Sequence, residues 1–154
     1  MSAALPDYTE YDTRLAAYAI VSRGEGEDRQ VLLALWNEPD RPRWTLPGGG
    51  VELAESVEEG VVREVREETG YVVVVDRLLG IGTATFSAAR RMRDTDRPMK
   101  AVRVFYAVSI VGGALAAEVD GTTDEARWFT LDEVADLPRT GQVDEAIALW
   151  RQAR

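Results

Sequence analysis

Apolar residues fall along the chain in short runs separated by turn-forming clusters. Leu15–Ser22 (LAAYAIVS) and Val31–Trp36 (VLLALW) are two such runs, and the cluster Gly24-Glu25-Gly26-Glu27-Asp28 between them predicts a hairpin. Asn37–Arg43 holds two prolines and reads as a loop. Arg43–Leu46 is expected as a short strand, stopped by Pro47 and the run Gly48-Gly49-Gly50. From Glu55 to Thr69 strong helix formers predict a helix, with Gly70 at its C-terminal stop and Gly60 as its one weak interior residue. Tyr71–Val75 is β-branched, and Arg77–Thr85 continues in strand-like fashion. Ser87–Lys100 reads as a loop, Ala101–Val111 as a strand and Gly112-Gly113 as a turn. Ala126–Phe129 is a short strand. Leu131–Leu137 is a short helix started by Thr130 or Asp132 and ended by Pro138, and Val143–Gln152 is a terminal amphipathic helix. Residues 1–12 lack periodicity and read as an N-terminal arm. Short strands around one central helix predict an α/β protein, and 154 residues suggest one domain over 1–154.

Composition narrows the chemistry. The chain has no cysteine and no histidine. Thiol nucleophiles, zinc-thiolate sites, imidazole metal sites and Ser-His-Asp triads are therefore excluded. Acid–base or metal chemistry must rest on carboxylates, supported by Lys, Arg, Tyr or backbone. A net charge of −9 repels nucleic acid and anionic lipid, so neither is an expected partner. No run of 18 apolar residues marks a transmembrane helix, and MSAALPDYTEYD lacks the basic leader and apolar core of a signal peptide. A cytoplasmic protein is expected.

Glu64, Glu67 and Glu68 stand at i, i+3 and i+4 of the predicted helix, with β-carbons about 5–6 Å apart. A solvated acidic face is the plain alternative. Like charges at ~4 Å repel by about 1 kcal/mol in water and about 4 kcal/mol at an effective dielectric near 20. A divalent cation reverses that sign, and oxygen-only ligands suit Mg²⁺, Mn²⁺ or Ca²⁺. Gly60 falls on the same face and is expected to leave room for ions and a substrate phosphate. Arg63 lies four residues from both Glu59 and Glu67 and can hold either.

The segment Gly49–Tyr71 resembles the Nudix box, G-x5-E-x7-R-E-U-x-E-E-x-G-U with U a bulky apolar residue. Gly49, Glu55, Arg63-Glu64-Val65, Glu67-Glu68 and Gly70-Tyr71 fill its nine fixed positions. Tyr71 stands where an aliphatic residue is usual. Trp44–Gly49 is similar to the family's lead-in, and Glu125–Phe129 with Leu131–Val134 to its late strand and short helix. The fold implied is an α/β/α sandwich, a mixed sheet between helices. The activity implied is hydrolysis of a nucleoside diphosphate linked to a group X, at a P–O–P bond, with Mg²⁺ or Mn²⁺. By position, Glu64, Glu67, Glu68 and the Gly48 carbonyl would ligate metal, Arg63 would orient the carboxylates, and Glu55 and Gly49 would support them from outside. Glu67, Glu68 or an acid from a later loop would take the proton from the attacking water. Glu125 is the favoured later acid, with Glu118, Asp120 and Asp124 as competitors. A Nudix-fold nucleotide-binding or sensor module without catalysis is the alternative, and a homodimer is a further family-level expectation.

Arg90, Arg91, Arg93, Arg97 and Lys100 place five cations within eleven residues. Arginine binds phosphate bidentately, so the first four are candidates for substrate contacts, against a solvated connecting loop. Trp36, Trp44, Trp128 and Trp150 are expected in the core or an interface, and Tyr18 and Phe86 outside the site. The substrate stays open between an oxidised or non-standard nucleoside triphosphate, ADP-ribose, dinucleoside polyphosphates and nucleotide sugars. The ADP-ribose class of the family often carries a proline where Phe86 stands, sixteen residues past Gly70.

Overall fold

A computed structural model describes residues 4–37, 41–116 and 123–153. Its elements run β1 (Asp12–Arg23), β2 (Gln30–Trp36), β3 (Arg43–Thr45), β4 (Gly48–Gly50), α1 (Val57–Thr69), β5 (Tyr71–Phe86), β6 (Met99–Gly113), β7 (Thr123–Thr130), α2 (Leu131–Ala135) and α3 (Gly141–Gln152). Single 3₁₀ turns at Gly26–Asp28 and Ala88–Arg90 lie in the connections. The strands join in the order β3-β2-β1-β6-β5, with β4 added to β1 and β7 to β2. β1 and β6 are parallel over Asp12↔Met99 to Val21↔Val108, while the other pairs are antiparallel, so the sheet is mixed.

Alternation along β1 explains the layers. Ala16, Tyr18 and Ile20 face one cluster, with Leu33, Phe105, Phe129 and the α3 residues Val143, Ala146, Ile147 and Trp150. Ala17, Ala19 and Val21 face the other, with Val61 and Val65 of α1. Burial on both faces gives β1 its unbroken apolar run. Val61 and Val65 are fully buried, which stabilises by roughly 1.5–3 kcal/mol each and fixes α1 on the sheet. Helices thus cover both faces, the α/β/α arrangement.

Several boundaries differ from the sequence reading. The β1–β2 hairpin is reduced to two pairs, Ser22↔Val31 and Arg23↔Gln30, because each strand then turns to other partners. Gly48–Gly50 is a strand against β1, not only a stop. The helix starts at Val57, not Glu55. Ser56 caps it by accepting from the Glu59 N–H at 3.1 Å, and the Glu59 carboxylate accepts from the Ser56 N–H. Tyr71–Phe86 is one strand with three register shifts, and Gly112 and Gly113 pair with Val72 and Tyr71 instead of turning. Thr130 caps α2, which ends at Ala135. Asp12, assigned to the arm, opens β1.

Candidate active site

The site forms where β4 passes under α1. Gly48 has φ of +148°, and a β-carbon there would strike the Ala17 carbonyl oxygen and come within 2.7 Å of Tyr18 Cα. Only glycine lets this backbone lie so close to β1. The Gly48 N–H donates to Glu68 Oε2 at 3.1 Å, and Glu68 is only 8% exposed. A β-carbon on Gly49 would lie 2.8 Å from Glu64 Oε1. Glu64 and Glu68, one turn apart on α1, therefore converge on the Gly48–Gly49 backbone.

Arg63 ties the box together. Its Nε and Nη2 donate to the two Glu55 oxygens at 3.0 and 2.6 Å, and Nη2 also donates to the Gly50 carbonyl at 3.1 Å. Nη1 donates to Glu64 Oε1 at 3.1 Å and Glu67 Oε2 at 3.2 Å. Between Glu59 and Glu67, Arg63 takes Glu67, because Glu59 is engaged at the cap. The fork on Glu55, together with a hydrogen bond from the Glu52 N–H, holds the Glu55 carboxyl down to about 2. The same carboxylate, then Glu64, raises the Arg63 pKa, so the guanidinium stays charged.

Glu67 is half exposed and held by Arg63. Among the described residues no three acidic side chains converge as a ready metal cluster. The donors beside Gly48 and Gly49 are all oxygen, and a β-carbon at Gly49 would intrude on them. That set suits a hard divalent cation, with Glu64, Glu68 and the nearby backbone as the groups able to hold it. Gly60 does not open the site. Its missing β-carbon makes room for Glu55 Oε1 and the Val51 methyls, at 3.0 and 3.3 Å.

A cavity of about 870 Å³ adjoins these carboxylates. Arg90, Arg91 and Arg93 line it, but Arg97 does not. Arg97 Nε and Arg91 Nη1 instead donate to the two Asp12 oxygens at 2.7 and 2.8 Å, which lowers the Asp12 pKa. Arg91, with a side chain 8% exposed, anchors the loop to β1. Glu125 lies on β7 in an ion pair with Arg127. Its neighbours Ala126 and Trp128 pack toward α1, so alternation turns Glu125 to the opposite face, and it does not line the cavity. Glu118 and Asp120, and the side chain of Asp124, lie outside the described residues.

The sequence reading missed part of this wall. Arg14, Tyr18, Trp36, Arg43, Phe86 and Arg103 all line the cavity. Trp44 and Trp150 are buried in the core, as expected of tryptophan, but Trp36 is not. Arg14 and Arg103 meet only through the β1–β6 pairing, and no local pattern marks them.

The family model described as "NUDIX domain" matches residues 12–150. An "ADP-ribose pyrophosphatase" of Methanocaldococcus jannaschii is 34% identical over 113 residues, 73% of this chain and 61% of that protein. A "MutT-like protein" of Streptomyces ambofaciens is 35% identical over 117 residues, 76% of this chain and 64% of that protein. The chain thus spans just under two thirds of each of these curated relatives. The solved structure of a NUDIX hydrolase from Nitrosomonas europaea shares the fold at a TM-score of 0.75 and 22% identity, covering 92% of this chain and 90% of that one.

Proposed function

Given that the chain belongs to the NUDIX family, we propose that it is a divalent-metal-dependent pyrophosphohydrolase. It would cleave a nucleoside diphosphate linked to X at a P–O–P bond by water attack at phosphorus. The observation that carries this reading is the convergence of Glu64 and the buried Glu68 on the Gly48–Gly49 backbone, beside an arginine-lined cavity. The name of the Methanocaldococcus jannaschii relative supports pyrophosphatase chemistry. Membership of the family is also the ground for Mg²⁺, or Mn²⁺ in its place, as cofactor.

A bound Mg²⁺ or Mn²⁺ would neutralise phosphate charge and polarise the phosphoryl group. Glu64, Glu68 and the Gly48 carbonyl would hold it, with Glu67 joining after release from Arg63. Arg63 positions Glu64 while Glu55 holds Arg63, so the carboxylates stay aimed at β4. With no histidine in the chain, Glu67 or Glu68 takes the proton from the attacking water. Glu125 is engaged with Arg127 and is left out of that step. Arg90 and Arg93 contact substrate phosphate, while Arg91 and Arg97 hold the loop that carries them. The cysteine-free sequence fits a cytoplasmic setting, and among the described residues no helix is long and apolar enough to cross a membrane.

The test is phosphate release from nucleoside triphosphates, ADP-ribose, dinucleoside polyphosphates and nucleotide sugars, with Mg²⁺ and with Mn²⁺. Wild type should turn over at least one class, and Glu68→Gln should lower that rate by roughly 10²–10⁴-fold. Tight nucleotide binding with no turnover of any substrate would replace the hydrolase with a binding or sensor module. Size-exclusion chromatography with light scattering would test the homodimer.

A further inference from the structure

The cavity's charge runs against that of the chain. Its lining holds six arginines and two glutamates, a local formal charge of +4, within a protein of net charge −9. Not all six cations are equivalent. Arg91 is committed to Asp12 and to the Arg97 carbonyl, and Arg43 lies over the Trp36 ring. Arg14, Arg90, Arg93 and Arg103 make no hydrogen bond or ion pair with any described residue. Arg14 and Arg103 sit on the same face of adjacent parallel strands, since Arg14 is level with Ala101 and Ala16 with Arg103. Arg14 Nη2 reaches to 3.7 Å from where a Gly50 β-carbon would stand. It therefore borders β4 on the face opposite the one where Gly49 meets Glu64, and the cavity reaches both groups.

Charge accounting then separates substrate classes. A divalent cation on Glu64 and Glu68 balances those two carboxylates and leaves four unpaired guanidiniums on the wall. A pyrophosphate bridge between two neutral groups, as in ADP-ribose, brings about two negative charges to this wall. A chain of three or more phosphates supplies the remainder, and guanidinium forks suit phosphate oxygens. Building on the hydrolase reading, we propose that Arg14 and Arg103 form a subsite for a phosphate beyond the scissile pyrophosphate, with Arg90 and Arg93 closing over it. The substrate is then a nucleoside tri- or polyphosphate and not a diphosphate sugar.

The subsite can be tested apart from catalysis. Inorganic tripolyphosphate and pyrophosphate are titrated into the full chain by calorimetry in EDTA. Wild type should bind tripolyphosphate about tenfold or more tighter than pyrophosphate, equivalent to one extra charge-assisted contact. The double variant Arg14→Gln/Arg103→Gln should lose that preference, and Arg14→Lys/Arg103→Lys should recover part of it. Equal binding of the two anions by wild type would overturn the proposal, and so would a preference unchanged in the folded glutamine variant. In the turnover arm, the glutamine variant should lose about tenfold or more in kcat/KM on ATP and adenosine tetraphosphate, and much less on ADP-ribose. A tripolyphosphate preference without turnover of any substrate would remove the hydrolase and leave the subsite standing. Turnover with no dependence on phosphate number would do the reverse.

Discussion

Replacing Gly48 and Gly49 by alanine, one at a time, separates folding from chemistry at adjacent residues. A β-carbon on Gly48 meets backbone: the Ala17 carbonyl oxygen, and Tyr18 Cα at 2.7 Å. Neither can move without opening the β1–β4 pairing. The φ of +148° adds strain of about 1–3 kcal/mol for any residue with a side chain. Overpacking at a rigid contact adds roughly 1–3 kcal/mol more. The sum, about 2–6 kcal/mol, is a large share of the roughly 5–15 kcal/mol that a domain possesses. At about 2–4 °C per kcal/mol, Gly48→Ala should lower Tm by roughly 4–24 °C. A β-carbon on Gly49 instead meets the end of the Glu64 side chain, with Oε1 at 2.8 Å and Cδ at 2.9 Å. A carboxylate tip can swing aside, so stability should change by less than about 1 kcal/mol. The displaced Glu64 should weaken Mn²⁺ binding by about 10–100-fold. Scanning calorimetry and manganese titration followed by electron paramagnetic resonance read the two effects separately. An unshifted Tm for Gly48→Ala would refute the packing argument. A large Tm loss for Gly49→Ala, with Mn²⁺ affinity unchanged, would refute the placement of Glu64.

Three further outcomes follow from the ion pairs. Arg63→Lys keeps the charge but cannot fork onto Glu55 while reaching Glu64 and the Gly50 carbonyl. It should weaken Mn²⁺ binding by about 10–100-fold in the same titration, and a wild-type affinity would show that the fork does not position Glu64. Glu55 has its pKa lowered from 4.5 to about 2, so its ionised form contributes stability above pH 4.5 that is lost as pH falls toward 2. Urea unfolding should therefore show Glu55→Gln less stable than wild type at pH 7, with the gap shrinking between pH 4.5 and 2. A constant gap would contradict the Arg63 pairing. Asp12→Asn removes the anion that holds Arg91 and Arg97, so amides over residues 87–98 should exchange faster with solvent, as hydrogen-exchange mass spectrometry would detect.

What could be read from the sequence was local. Strong helix formers and the Gly70 stop mark α1 without knowledge of the rest of the chain, and three glutamates at i, i+3 and i+4 necessarily share its face. Even there the propensity pattern puts the start two residues early, because Ser56 and Glu59 form a capping box that leaves Glu55 outside the helix and within reach of Arg63. Gly48–Gly50 is a strand despite glycine's low preference for strands, because β1 needs a partner without side chains at that approach. Gly60 stood on the expected face, yet its neighbours are Val51 and Glu55 from the loop before the helix, and only tertiary contact decides that.

The arginines show the limit most clearly. Counting cations over residues 90–100 marks a loop but gives each arginine the same role. The fold divides them: Arg91 and Arg97 converge on Asp12, about eighty residues earlier in the chain, while Arg90 and Arg93 stay on the cavity wall. It then adds Arg14 and Arg103, which a parallel pairing brings together and which carry no local sign of their purpose. A parallel pair needs a long crossover, so its register is invisible to any short window of sequence. The same division explains how a chain of net charge −9 can receive an anion. At about 0.1 M salt the Debye length is about 10 Å, so repulsion from the outer surface is largely screened. Guanidiniums lining a concave wall next to low-dielectric protein are screened less. An approaching polyphosphate would therefore meet attraction at the cavity mouth, and Glu64 and Glu68, which the proposed reaction requires, line the same cavity at Gly48 and Gly49.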